Sequence, residues 1–391
     1  MFKLYFITSS YLSEFKQKKL NFNFYKKKKI KVIILNISSI VNPRYFTFFK
    51  KKILKNSLVL KKNNIQNFMN KIKPIDKVIS LDFPTDKNEF IFKSLEKQKI
   101  NYSFFFFGNL PVIKKKSILE YFDILIKYNL KILKAFIENP KELIDLIWTI
   151  INPKKINLKP QYIFYSGKAL YLNYKKIFLK SKFINIPTLD FDVFINYNRE
   201  RKKTKVKKSN SATYISGIYK NSDQAFSPAK KFSDEKVIKS NYYSSITSFL
   251  KNFNRVTNLD IIVLKHPSEQ IYKNPYKFGK MYSDTFEYVK NSSFVIAQSS
   301  TAIAFAILFK KPILFLNSNN FNYNTNRQIR IFANYFKKKP FNVSTDEFNL
   351  ERFYEENKIN HGLYKSFEED YLLHKKEKLT SYEIVFNIIS K

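Results

Sequence analysis

The chain has 391 residues but no cysteine, and its three histidines stand at positions 266, 361 and 374. The absence of cysteine excludes a disulfide framework, a thiolate nucleophile and a zinc site with sulfur ligands. Three histidines far apart in the sequence also argue against an all-histidine metal site. Disulfide-stabilised domains and cysteine-dependent enzymes are therefore ruled out.

Glycine and arginine are scarce as well. The chain has 5 Gly, and only 7 of its 71 Lys and Arg residues are arginines, although its formal charge is +40. Arginine is the residue that reads bases and grips phosphates bidentately, so a charge carried by lysine argues against nucleic-acid recognition. Lysine together with abundant Asn, Ile, Phe and Tyr indicates the bias of an AT-rich coding sequence. We interpret the lysines mainly as a solvated surface. The alternative is that they attract an anionic membrane or a polyanionic substrate.

No segment predicts a signal peptide or a membrane span. Residues 1–15 lack a small-residue cleavage pattern. The longest uncharged run, residues 291–309, is divided by polar side chains and predicts a strand, a turn and a helix. Because 44% of the residues are hydrophobic, we expect a globular chain, and its length is that of two domains. We expect a cytoplasmic protein, with peripheral contact to the anionic inner membrane left open.

Strand-like and helical segments alternate through the first half. The strand-like runs are rich in β-branched and aromatic residues and end in polar or turn-forming residues, as buried parallel strands do. They are residues 30–36, 77–82, 101–108 and 161–167. Helical patterns lie between them at residues 88–98 and 118–148. This order predicts a parallel sheet with helices on its faces.

The alternation restarts after a basic stretch with almost no apolar residues, 196–211, which predicts a linker. Beyond it, the predicted strands are residues 212–219, 259–265, 293–298 and 312–316, and the predicted helices are 234–253, 285–291 and 301–309. We predict an α/β fold with two Rossmann-like, doubly wound parallel-sheet domains that face a cleft. The predicted domains are residues 1–195 and 212–378, and residues 379–391 are predicted to form a closing helix that returns to the first domain.

Two polar segments follow predicted strands of the second half, at the edge where a parallel sheet binds its ligands. In the first, His266 and Pro267 follow the strand at residues 259–265, so the imidazole could donate to a phosphate or carry a proton. A purely structural histidine is the alternative. In the second, Ser299, Ser300 and Thr301 precede a helix, where hydroxyls and free N–H groups can bind an anion. Plain N-capping by a serine is the alternative.

Residues 259–316 contain the segments LKHPSEQ and YSDTFEYVKNSSFVIAQSSTAIAFAILFKKPILFL. Together they resemble the carboxyl-terminal half of the bacterial capsule and lipopolysaccharide glycosyltransferases, a family that includes sialyltransferase-like proteins with a GT-B fold. That family holds a nucleotide-sugar donor with a His-Pro and a Ser-Ser/Thr motif. The resemblance implies that the donor is bound by His266, Pro267, Ser299, Ser300 and Thr301, with Thr285 and Glu287 near its ribose or base. In the first domain, Ser166, Gly167 and residues 186–192 resemble the amino-terminal half more weakly.

The catalytic carboxylate does not follow from the resemblance, because the acidic-glycine motif of related sialyltransferases is missing from this chain. An inverting transfer needs a carboxylate to take the proton from the acceptor hydroxyl. Asp190 and Asp192 alternate in a segment expected to be extended, so both are predicted to face the cleft as candidate bases. A helix cap or a pair with a lysine is the alternative for either one. Asp82, near the end of a predicted strand, is a further candidate carboxylate and is assigned to the cleft with Ser166 and Gly167. An ordinary aspartate of a strand-to-helix turn is the alternative.

Asp190, Phe191 and Asp192 also have the letters of a metal-binding Asp-x-Asp motif. The family that the chain resembles usually replaces the metal with helix dipoles and basic groups around the leaving phosphate. We therefore expect no metal and no cofactor besides the nucleotide-sugar donor. His361 and His374 are predicted to be exposed and receive no role.

The hypothesis is an inverting, metal-independent glycosyltransferase that moves a sugar from a nucleotide donor to a surface polysaccharide, a lipopolysaccharide or a lipid-linked glycan. A CMP-linked acid sugar is the donor class that the resemblance favours. A nucleotide-sugar epimerase is one alternative, although the glycine-rich turn usual in such enzymes is absent after residue 298. A basic protein that binds nucleic acid or another polyanion without catalysis is a second, and a transferase that has lost its activity is a third.

Overall fold

The computed structural model describes residues 2–12, 14–106, 157–200, 209–215, 239–265, 274–321 and 323–391. Its described strands form two sheets, and every pair of neighbouring strands is parallel. The predicted fold class, two doubly wound parallel sheets with helices, is therefore confirmed. The predicted helix at residues 118–148 lies outside the described residues.

The first sheet contains seven described strands in the order β3-β2-β1-β4-β5-β6-β7. They are β1 Lys3–Thr8, β2 Lys31–Asn36, β3 Leu58–Val59, β4 Lys77–Ser80, β5 Tyr102–Phe106, β6 Tyr162–Tyr165 and β7 Lys182–Asn185. All four strands predicted in this half are present, as β2, β4, β5 and β6. The central strand β1 was not predicted, and it pairs with β2 on one side and with β4 on the other.

The second sheet contains six described strands in the order β10-β9-β8-β11-β12-β13. They are β8 Ser211–Ile215, β9 Asp260–Leu264, β10 Lys280–Tyr282, β11 Phe294–Ala297, β12 Ile313–Asn317 and β13 Phe341–Asn342. The four strands predicted here are present as β8, β9, β11 and β12. Each sheet starts at its centre, grows to one side and then crosses to the other. The winding therefore reverses between β1 and β4 and again between β8 and β11.

Helices connect the strands in both halves. In the first half they are α1 Glu14–Lys19, α2 Phe22–Lys27, α3 Ser38–Val41, α4 Pro43–Asn56, α5 Ile65–Met69, α6 Glu89–Lys97, α7 Lys168–Lys175 and α8 Leu189–Glu200. In the second half they are α9 Lys239–Thr257, α10 Thr285–Asn291, α11 Ile303–Leu308, α12 Tyr323–Tyr335, α13 Leu350–Glu356, α14 His361–Phe367, a π-helical turn Glu368–Leu372 and α15 Ser381–Ile389. Asp284 caps α10, because its carboxylate accepts a hydrogen bond of 3.0 Å from the N–H of Glu287.

Helix α8 contributes to the hydrophobic cores of both sheets. Leu189 belongs to the core of the first sheet, whereas Phe191 and Ile195 belong to the core of the second. The predicted linker is therefore shorter than expected, since residues 196–200 complete α8 and Ser211 begins β8. Residues 201–208 lie outside the described part of the chain.

The closing helix α15 packs on the first sheet, as the sequence predicts. Tyr382, Ile384, Val385 and Ile389 are buried in the same core as Leu189. Among the described residues, no helix combines the length and the apolar character that a membrane crossing requires.

Candidate functional site

The winding of the first sheet reverses between β1 and β4, and polar residues follow both strands at this point. The N–H of Ser9, just after β1, donates a hydrogen bond to the carboxylate of Asp82, just after β4. The N–H of Ser10 donates to Thr8 Oγ1 at 3.1 Å, and Ser80 Oγ donates to the backbone oxygen of Asp82 at 2.9 Å. The Asp82 carboxylate is therefore held at the edge where doubly wound sheets bind ligands.

Burial raises the pKa of Asp82 to about 6, although hydrogen bonds from Ser9 and the charge of Lys16 act in the opposite direction. The ordinary value for an aspartate is about 3.9. A carboxyl group with a pKa near neutrality can both accept and return a proton at physiological pH. Asp82 thus combines a place at this edge of the sheet with a raised pKa.

The second sheet has a matching reversal between β8 and β11. Ile215, the last residue of β8, lies opposite Ala297, the last residue of β11. Gln298 Nε2 donates a hydrogen bond of 3.1 Å to the hydroxyl of Tyr214, and both side chains are buried. This bond fixes the start of the segment 298–302 beside the end of β8.

Ser299, Ser300 and Thr301 follow Gln298 and precede α11. Ser300 Oγ accepts a hydrogen bond of 3.3 Å from the N–H of Ala302, and α11 has no side-chain cap at its first turn. Within the described part of the chain, the hydroxyls of Ser299 and Thr301 make no hydrogen bond. Thr301 is exposed and Ser299 is partly exposed. N-capping therefore accounts at most for Ser300, and the hydroxyls of Ser299 and Thr301 have no partner within the described part of the chain.

Polar residues continue along the same edge at the end of β12. Asn317 is the last residue of this strand, and its buried Oδ1 atom has no hydrogen-bond partner. Ser318 Oγ lies 2.9 Å from Ser344 Oγ, beyond the end of β13. The sequence pattern did not reveal this part of the edge, because short strands separated by Asn and Ser resemble an ordinary polar loop.

The predicted His266 and Pro267 lie outside the described residues, so their role stays a prediction. The strand that precedes them, β9, ends at the same edge as β8 and β11, since Ile215 is also opposite Leu264. Lys265 follows β9, and its N–H donates a hydrogen bond of 2.8 Å to the backbone oxygen of Tyr282.

Thr285 and Glu287 lie in the first turn of α10, as predicted. The carboxylate of Glu287 accepts hydrogen bonds from Lys290 Nζ at 2.6 Å and from Asn291 Nδ2 at 2.8 Å. Both partners belong to the same helix. A contact of Thr285 or Glu287 with a nucleotide stays a prediction.

Asp190 and Asp192 do not lie on one face of an extended segment, as the sequence predicted. They lie in the first turn of a helix, α8, instead of an extended segment, so their side chains do not share one face of a strand. Asp190 pairs with Lys19 Nζ, in agreement with the alternative of a lysine partner. Asp192 accepts hydrogen bonds from Ser381 and is 2% exposed. Both carboxylates therefore bind groups elsewhere in the chain: Asp190 binds Lys19 at the end of α1, and Asp192 binds Ser381 at the start of α15.

Ser166 and Gly167, predicted to line the cleft, lie directly after β6. Both are buried, and the π-helical turn packs on Gly167. Ser166 Oγ is buried without a hydrogen-bond partner. A Cβ atom on Gly167 would lie 2.3 Å from the backbone oxygen of Asp370 and 2.7 Å from Tyr371 Cα, and the residue has a φ of +79°. Glycine at this position thus permits the π-helical turn to pack on the end of β6.

His374 was predicted to be exposed and is instead half-buried beside two tyrosines. Its Nδ1 atom lies 3.1 Å from the hydroxyl of Tyr165, and its ring centroid is 5.4 Å from that of Tyr171. Burial and the positive charges of Lys375 and Lys168 lower the pKa of His374. A histidine in a lysine-rich segment carries no sequence signal for such a contact, because its partner is distant in the chain.

The described residues contain no cluster of three or more His, Asp or Glu side chains that could hold a metal ion. Asp190 and Asp192, which have the letters of a metal-binding motif, are engaged with Lys19 and Ser381. Whether the reaction needs a metal stays a prediction from the resemblance.

No protein-family model matches the chain. No curated protein sequence is significantly similar to it. Solved structures similar to the chain include the Methanocaldococcus jannaschii UDP-GlcNAc 2-epimerase in complex with UDP-GlcNAc and UDP, at 13% identity and a TM-score of 0.46 over 99% of both chains. They also include the wall teichoic acid polymerase TagF, at 12% identity and a TM-score of 0.48 over 99% of this chain and 88% of that one. A third is the spinosyn forosaminyltransferase SpnP, at 10% identity and a TM-score of 0.45 over 100% of both chains. These values do not assign the chain to the family of any of the three.

Proposed function

We propose that the chain is a glycosyltransferase of the GT-B type, which transfers a sugar from a nucleotide donor to a glycan acceptor. One observation carries the proposal: both sheets have the same strand order around their reversal points, and each reversal point holds a polar cluster. The cluster of the first sheet contains Asp82, which suits proton transfer. The cluster of the second contains the hydroxyls of Ser299 and Thr301, which suit a phosphate group.

In this proposal the second sheet binds the donor. The hydroxyls of Ser299 and Thr301 donate hydrogen bonds to the donor phosphate, and Gln298 keeps them in place through its bond to Tyr214. His266, just after β9, would approach the same phosphate. The donor class that fits the resemblance is a CMP-linked acid sugar, and the acceptor is a capsular polysaccharide, a lipopolysaccharide or a lipid-linked glycan.

The first sheet supplies the base, and Asp82 takes the place that the sequence assigned to Asp190 and Asp192. The acceptor oxygen forms a bond to the anomeric carbon while the bond between that carbon and the phosphate oxygen of the donor breaks. The acceptor proton passes to Asp82, and the nucleotide leaves with the electron pair. This is an inverting displacement, since the attack and the departure occur on opposite faces of the sugar.

A donor screen tests the proposal. The purified chain is heated with CMP-, UDP- and GDP-linked sugars, and a bound nucleotide raises the melting temperature. Donors that stabilise the chain are then incubated with glycan acceptors, and free nucleotide and extended glycan are measured. We expect selective stabilisation by one nucleotide class and release of nucleotide that depends on the acceptor. Stabilisation by none of them, or formation of an epimer from a UDP-sugar without acceptor, would contradict the proposal.

A further inference from the structure

Acidic residues are absent from a long part of the first domain. Residues 15–75 contain seventeen Lys or Arg and no Asp or Glu. This segment includes the strands β2 and β3, which form one edge of the first sheet, and the helices α2 to α5. This segment thus carries 17 of the net +40 charges, and no acidic residue offsets them within it.

Helix α4 has two unlike faces within this segment. Tyr45, Phe49 and Ile53 recur every four residues and are buried together in a small hydrophobic cluster. The remainder of the helix includes the exposed residues Lys51 and Lys55 and contains no acidic side chain. A helix with a buried apolar stripe and a basic outer face is expected on any soluble protein, so the outer face needs a further distinguishing feature.

That feature is a set of large apolar side chains exposed among the lysines. Leu54, on the outer face of α4, is 54% exposed, and Leu58, at the start of the edge strand β3, is 50% exposed. Phe48 is 54% exposed, with its ring 4.8 Å from that of Phe49. Apolar side chains interspersed with lysines are typical of a helix that lies in the surface of an anionic bilayer.

Helix α4 is attached at the ligand-binding edge of the first sheet. The N–H of Tyr11 donates a hydrogen bond of 2.9 Å to the hydroxyl of Tyr45, and the ring of Tyr11 stacks on that of Phe49 with centroids 6.1 Å apart. Tyr11 lies two residues after Ser9, whose N–H binds Asp82. The buried face of α4 is therefore attached to the segment that follows β1, close to the polar cluster of the first sheet.

We propose that α4 and Leu58 dock the protein on an anionic lipid bilayer. Leu54 and Leu58 enter the interface between head groups and acyl chains, while Lys51 and Lys55 contact lipid phosphates. Charge complementarity with anionic lipid and the absence of acidic residues select this partner. Single-stranded nucleic acid fits less well, because two of these three exposed apolar side chains, Leu54 and Leu58, have no ring on which a base could stack. The docking rests on these observations alone and does not depend on the proposed glycosyl transfer.

Vesicle flotation with the full chain tests the docking. The vesicles contain phosphatidylcholine with either no phosphatidylglycerol or an increasing proportion of it. One variant, Leu54→Ser with Leu58→Ser, removes the apolar contribution to binding. The other, Lys50→Gln with Lys51→Gln and Lys55→Gln, removes the electrostatic contribution. Matched controls are Leu179→Ser, which is 83% exposed in the wild type, and the triple change Lys339→Gln, Lys358→Gln and Lys365→Gln, made at exposed lysines of the second half. Circular dichroism verifies that each variant is folded.

We expect binding that rises with the anionic fraction and falls with salt. The leucine variant and the lysine variant should each lower the partition coefficient by about tenfold, whereas both controls stay within about twofold of the wild type. Equal binding to neutral and anionic vesicles, or wild-type binding by the leucine variant, would overturn the docking. The docking would also be overturned if the chain bound a single-stranded oligonucleotide more tightly than anionic vesicles and the leucine variant bound the oligonucleotide equally well. No nucleotide sugar is present, so a negative result leaves the transferase proposal intact.

Discussion

The carboxylate of Asp192 accepts hydrogen bonds from both the N–H and the hydroxyl of Ser381, 189 residues further along the chain; the bond from the N–H is 2.7 Å long. Ser381 is the first residue of α15, so the pair joins the start of α15 to α8. Arg199 extends this junction, because its guanidinium donates to both carboxylate oxygens of Glu383 at 3.0 and 2.9 Å. The closing helix is thus held on the first domain by polar contacts as well as by its apolar face.

Replacing Asp192 by Asn should change the pH dependence of stability. Burial raises the pKa of Asp192 to about 7, with hydrogen bonds from Ser381 acting against it. A group whose pKa is raised by folding stabilises fully below its unfolded pKa of about 3.9, and it loses this contribution as the pH rises through its folded pKa. The free energy of unfolding of D192N, relative to wild type, should therefore increase between about pH 4 and pH 7 and level off above that range.

Urea unfolding at several pH values measures this difference. Asp260→Asn, at an exposed aspartate in β9, is the control. Its free energy of unfolding, plotted against pH, should run parallel to that of the wild type. Parallel curves for D192N as well would show that the Asp192 carboxyl is not protonated preferentially in the folded state.

Replacing Gly167 by Ala should destabilise the fold. The new methyl group would overlap the backbone of Asp370, and the φ of +79° is unfavourable for alanine. Because the clash is with backbone on the π-helical turn, neither side can move freely, and a loss of about 2 to 4 kcal/mol is expected. Gly362→Ala is the control: its methyl group would meet only Asn360 Oδ1, at 3.3 Å. A stability of G167A within about 1 kcal/mol of G362A would refute the close packing of Gly167 on this turn.

The sequence was sufficient to predict the fold class, because buried parallel strands appear as short apolar runs. It missed β1, since the run from Lys3 to Thr8 was considered only as a possible signal peptide. It also predicted the polar segment after β11, where Ser299 and Thr301 are placed as expected. It could not place Asp192, because LDFD suits a strand by residue type, and only the contact with Ser381 distinguishes the helical position. Long-range partners of this kind leave no local pattern.

Removing both free hydroxyls of the second sheet should weaken donor binding. In the double variant Ser299→Ala with Thr301→Val, the backbone of the segment is unchanged and only two donors to the phosphate are lost. Each hydrogen bond to a charged group contributes about 1.5 to 3 kcal/mol, so the Kd of the nucleotide sugar should rise by at least about tenfold. Isothermal titration calorimetry measures the change.

The control for this variant is Ser293→Ala, at the opposite end of β11, where the hydroxyl donates to the backbone oxygen of Ser209 at 2.9 Å. It should leave the Kd within about twofold of wild type. Equal affinities of the double variant and the wild type would remove Ser299 and Thr301 from the donor site.

Replacing Asp82 by Asn should abolish the proton transfer and preserve the binding of substrates. The amide oxygen can still accept the hydrogen bond from Ser9, but the side chain no longer takes a proton. We expect kcat to fall by about 10²- to 10⁴-fold with little change in the KM for the donor.

In the wild type, kcat/KM should increase as the pH rises through about 6, the pKa of Asp82, because only the ionised carboxylate is a base. Asp86→Asn, at an exposed position of the same turn, should retain both the rate and this pH profile. If D82N kept the acid limb, or if Asp190→Asn lost as much activity as D82N, the base would lie elsewhere and the reversal point of the first sheet would not be the acceptor side.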